Sequence, residues 1–121
     1  MSVPTVRIAH LPITDHIILG QTMSTLSNGG APLSSCVLEP VQKGDWASLS
    51  SDLESGKVDG AFILAPIAMD MFKAGVGIKL VLFTHRNGSI LVRNSRGGIN
   101  SVEDFKSKSV LIPFQLSVHN M

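Results

Sequence analysis

The run Ala61-Phe62-Ile63-Leu64-Ala65 is apolar at every position. A strand with one face in water alternates, so a run without alternation reads as a parallel strand covered on both faces. Asp59-Gly60 leads into it, and Pro66, suited to the first turn of a helix, follows. Parallel neighbours need crossover connections, usually helices, so this one segment commits its surroundings to alternate strands and helices.

The rest of the chain reads accordingly. Thr5 to Ala9 alternates as a strand and is ended by His10-Leu11-Pro12. Thr14 or Asp15 caps a helix in which Ile18, Leu19, Met23 and Leu26 recur at helical spacing, and Asn28-Gly29-Gly30 stops it. Ser35 to Val41 is a second strand. Asp45 caps a second helix with Trp46, Leu49 and Leu53 on one face and Gly56 at its C′ position. The third helix spans 66–74 and breaks at Gly75 and Gly77.

Further on, Ile78 to Phe83 reads as a fourth strand and Thr84 to Gly88 as a polar turn. Ser89 to Arg93 is another strand, and Asn94 to Gly98 a loop. Ser101 opens a short helix with the S-x-x-D form of a capping box, and Val110 to Ile112 is a final strand. The fold class expected is α/β, a mostly parallel sheet with helices on both faces and right-handed crossovers.

Composition narrows function by exclusion. Ten basic residues stand against nine acidic ones, scattered, with 5% aromatics, which is no electrostatic footprint for nucleic acid. The longest apolar runs fall far short of the roughly 20 residues of a membrane span. The first residues lack the basic and apolar regions of a signal peptide, leaving either a cytoplasmic protein or one whose leader was removed. The single Cys36 has no internal disulfide partner and reads as a buried strand thiol.

In parallel sheets, ligands lie beyond the carboxyl ends of the strands. Those ends hold His10, Leu11, Pro12, Thr14, Asp15 and His16, then Ala65 and Pro66, then Thr84, His85, Arg86 and Asn87, and last Pro113, Gln115, Ser117 and His119. Helix starts near Asp15, Pro66 and Gln115 offer free N–H groups to a carboxylate, sulfonate, nitrate or similar small anion. His10, His16, His85 and His119 show no metal-ligand spacing, and no cofactor is implied. No nucleophile elbow, P-loop or dinucleotide fingerprint is present.

Three segments carry a family resemblance: VRIAHLPITDHIILG at the start, ESGKVDGAFILAPIAMDMFKAG in the middle and INSVEDFKSKSVLIPFQLSVHNM at the end. Together they resemble the substrate-binding proteins of ABC importers for nitrate, sulfonate and taurine, a group that includes thiamin-pyrimidine-precursor relatives. Val58-Asp59-Gly60 with Ala65-Pro66, followed by Val102 to Val110, is the more specific pair. Ser107-Lys108-Ser109 departs from it where the family usually has a glycine.

The resemblance implies the first lobe of a type II periplasmic-binding fold over residues 1–88, with the hinge crossing and an incomplete second lobe over 89–121. It implies a solute held between lobes by His10, Leu11, Thr14, Asp15, His16, Ala65, Pro66, Thr84, His85, Gln115 and Ser117. A membrane permease and its ATPase would be partners, and the location extracytoplasmic where a leader is removed. The expected form is truncated, with an open sheet edge that could pair with a second copy. Two alternatives stand beside transport: a cofactor-precursor enzyme using His10, Asp15 or His85, and a cytoplasmic ligand-sensing domain on the same fold.

Overall fold

The computed structural model describes residues 3–85 and 89–120. Strand β1 (Thr5–His10) leads through a 3₁₀ turn (Thr14–His16) into helix α1 (Ile17–Ser27). Strand β2 (Val37–Gln42), helix α2 (Trp46–Glu54), strand β3 (Gly60–Ala61) and helix α3 (Ala65–Lys73) follow. The three strands form one all-parallel sheet in the order β2-β1-β3. The protein is thus α/β, as its sequence implies.

Register explains where the core sits. Ala9 lies opposite Val41 on one side and Ala61 on the other, so these three share a face. Helix α2 covers that face, with Leu49 fully buried against Ala9, Leu11 and Val58 and with Trp46 and Leu53 beside it. The next row, Pro40, Ile8 and Gly60, turns to the opposite face. Leu38, of the same parity, shares a recess with Met23 and Leu26 of α1, which puts α1 on that side. Gly60 suits its place because a Cβ there would stand 3.0 Å from Ile8 Cδ1.

The local signals for α2 and α3 hold. Asp45 Oδ1 accepts the Ser48 N–H at 2.8 Å, the bond an N-cap makes. Gly56 follows the C-cap Ser55 in the left-handed region, φ +71°, which a residue with a Cβ enters at a cost. Lys43 Nζ, just past β2, reaches Asp52 Oδ2 of α2 at 2.5 Å. Pro66 occupies the first turn of α3.

Strand β2 carries a proline on a free edge. Val37 N–H donates to Pro4 O and Lys43 N–H to His10 O, so the odd-numbered residues of β2 face β1. By alternation Pro40, which has no N–H, faces outward.

Several expected elements are corrected. Ile78 to Phe83, Ser89 to Arg93 and Val110 to Ile112 are not strands; no strand follows Ala61 among the described residues. Val81 is 91% exposed and Leu111 98%. Apolar, β-branched composition favours pairing only where a neighbouring strand is in register, and these runs have none. The helix expected at Ser101 is a single 3₁₀ turn (Glu103–Phe105), with Asp104 Oδ2 taking the N–H groups of Asn100 and Ser101. Strand β3 is shorter than expected because its partner β1 ends at His10, level with Phe62, and extended Leu64 already caps α3. Neither Thr14 nor Asp15 caps α1, since the 3₁₀ turn begins the helical path earlier and His16 takes the N-cap without a side-chain bond. Cys36 is half-buried and precedes β2, lining the recess beside α1.

Candidate ligand-binding site

The order β2-β1-β3, with α1 and α2 on opposite faces, reverses the direction of the crossovers at β1, and α/β proteins hold ligands at such a topological switch point, here between β1 and β3. Phe62 N–H still bonds Ala9 O at 3.0 Å and Lys43 N–H bonds His10 O at 2.8 Å, so the three strand ends finish level. Whatever the loops carry is delivered to one place.

The β1 loop folds back on itself. Ile13 N–H donates to Leu11 O and His16 N–H to Ile13 O, which turns the His16 ring inward. His16 Nδ1 then accepts the Leu11 N–H at 2.9 Å. An imidazole nitrogen that accepts carries no proton, so the neutral ring holds its proton on Nε2. The ring is 6% exposed and lies between Trp46 (5.6 Å between centroids, edge-on) and Phe62 (5.2 Å, tilted). Burial lowers its pKa from the ordinary histidine value, with nearby Asp15 pulling the other way.

The C-terminal segment joins this cluster. Phe114 lies tilted against Trp46 at 6.4 Å, and Ser117 N–H bonds Phe114 O at 3.0 Å in the following turn. Ser117 is 2% exposed, and its Oγ has no hydrogen-bond partner among the described residues. A buried hydroxyl left unpaired is costly, and a bound group or water is a common explanation. Outside the ring cluster, His85 Nε2 stands 3.9 Å from Asp15 Oδ2, both half-exposed. His10, half-buried, directs Nδ1 at Leu11 O at 3.3 Å.

Leu11, His16 and Ser117 are therefore buried, Leu11 and His16 are bonded to each other, and Asp15 meets His85. Thr14 and Ala65 are exposed, and Pro66 and Thr84 half-buried. No side-chain hydrogen bond or ring contact among the described residues ties these four to the cluster. Gln115 lies exposed in the turn before Ser117. His119 Nε2 is 2.8 Å from Ser89 Oγ. Arg86 and Asn87, with Gly88 of the expected turn, lie outside the described residues.

Three aromatic residues of the site were not foreseen as such. Trp46 read as a helix-face residue, Phe62 as strand interior and Phe114 only as part of the terminal segment. Position was the available signal, because Trp46 directly follows the cap of the helix after β2 and Phe62 directly follows β3. Two recesses lie elsewhere: one of about 310 Å³ beside α1 and β2, and one of about 340 Å³ lined by Leu91, Arg93, Ile99 and Phe105. Among the described residues no three His, Cys, Asp or Glu side chains gather as a metal site would need.

Compared with known protein families, curated proteins and solved structures, the chain matches none of them.

Proposed function

We propose that this protein binds a small anionic solute at the carboxyl end of its parallel sheet, as the substrate-binding component of an ABC importer. The observation that carries the binding half is the buried, unpaired Ser117 Oγ, held in a turn whose Phe114 rests on Trp46 beside the switch point. A hydroxyl donor there suits an acceptor-rich anion, and the half-exposed His85 stands against Asp15 of the β1 loop. The importer half rests on the sequence resemblance alone. By the same reading the partners are a permease and its ATPase, and the location is extracytoplasmic.

A thermal-shift screen with nitrate, sulfonates, taurine, bicarbonate and pyrimidine precursors tests the reading. A ligand at 100 times its Kd adds about 2.7 kcal/mol to stability and raises the midpoint visibly. Ser117→Ala should abolish the shift of whichever compound gives one. If no compound moves the midpoint, solute binding of this class is rejected.

One observation favours a second reading. The Asp15–His85 contact is an acid–base pair at the turn after β1, as an enzyme making a cofactor precursor would use. Turnover of a compound that binds, lost in His85→Gln, would replace transport with catalysis.

A further inference from the structure

We propose that His16 is a pH-sensitive latch: as a neutral ring it holds the β1 loop shut through the Leu11 N–H, and its protonation releases that loop from Trp46 and Phe62. The geometry leaves little room for any other outcome. Nδ1 stands 2.9 Å from a backbone nitrogen that has only a hydrogen to offer. An imidazolium bears hydrogen on both nitrogens, so protonation sets donor against donor at that distance. The bond must break, and Leu11 N–H, buried beneath the loop, loses its partner.

The surroundings do little to accommodate the new charge. From α2 the ring meets uncharged Trp46, and from the end of β3 uncharged Phe62. Lys43 and Asp52 are paired with each other, and Asp45 is engaged by Ser48. His10 of β1 and His85 beyond α3 oppose a further positive charge when protonated. Of the charged side chains around the ring Asp15 alone favours it, and Asp15 is half-exposed and faces His85. Desolvation is the largest influence on the ring and holds it neutral. The latch stands on ring geometry and holds whichever solute, if any, the site takes.

Trp46 is the only tryptophan, so its emission reports on the cluster directly. Titrating the unliganded protein from about pH 7.5 to 4.5 should give a one-proton change in Trp46 emission, with its midpoint below the ordinary histidine value. Far-UV circular dichroism should stay constant across that step. The step should vanish in His16→Gln and persist in His10→Gln and His85→Gln. Nitrogen-15 spectra of the wild type should show His16 Nδ1 unprotonated at neutral pH, and hydrogen exchange at Leu11 N–H should rise at least tenfold across the step. These two measurements serve even where His16→Gln does not fold. The latch is overturned if Leu11 stays protected while His16 titrates, if the emission step survives in a folded His16→Gln, or if emission and dichroism change together.

Discussion

Asp59 satisfies both backbone groups that Arg7 turns toward β3. Its N–H donates to Arg7 O at 2.9 Å, and its carboxylate accepts the Arg7 N–H at 2.8 Å and Nε at 3.2 Å. A side chain thus continues the β1–β3 ladder where β3 has not yet begun. Asp59→Ala should lower the melting temperature by several degrees, and Asp59→Asn, which keeps an acceptor, by less. Equal losses in the two variants would show that charge, not the backbone bond, is what matters.

Acid should destabilise the fold through its aspartates. The Lys43 ammonium holds Asp52 below the ordinary carboxylate value, the Arg7 N–H does so for Asp59, and the Ser48 N–H for Asp45. Each folded pKa lies below its unfolded value of 3.8, so each contribution is complete well above that pH and disappears as pH falls toward the folded value. Urea midpoints should be nearly flat in this respect above about pH 5 and fall below about pH 4. Asp52→Asn should flatten that acid limb and lower stability at neutral pH. An unchanged limb would remove Asp52 from the account.

Leu49 is fully buried at the centre of the α2–sheet contact. Leu49→Ala should cost about 2–5 kcal/mol, measured by urea unfolding with an unchanged slope. For comparison, Phe72→Ala on the exposed side of α3 should cost well under that.

Gly60 and Ile8 share one space. Gly60→Ala puts a methyl 3.0 Å from Ile8 Cδ1, which must shift a few tenths of an ångström. A loss of about 1 kcal/mol is expected, and removing Cδ1 by Ile8→Val should recover most of it. A double-mutant cycle with no coupling would mean that Gly60 is required for its backbone instead.

Local signals were legible where they settle a local conformation. Asp45 caps α2, Gly56 closes it and Pro66 opens α3, because each acts through its own backbone or its nearest neighbours. Ile78 to Phe83 and Val110 to Ile112 looked like strands by composition, yet a strand exists only through a partner, and composition names no partner. The site divided in the same way. Its position at the strand ends followed from the alternation of elements. The inward turn of His16, and the Trp46, Phe62 and Phe114 rings around that end of the sheet, depend on contacts between residues up to 68 positions apart, Trp46 to Phe114, which no local pattern encodes.

Pro40 has a consequence beyond its own strand. A foreign strand docking along β2 needs a regular row of outward donors, and Pro40 leaves a gap in the middle of that row. The opposite edge presents only the two residues of β3. Neither border is a good template for sheet growth between molecules, so two copies of this protein that associate must do so mainly through side chains.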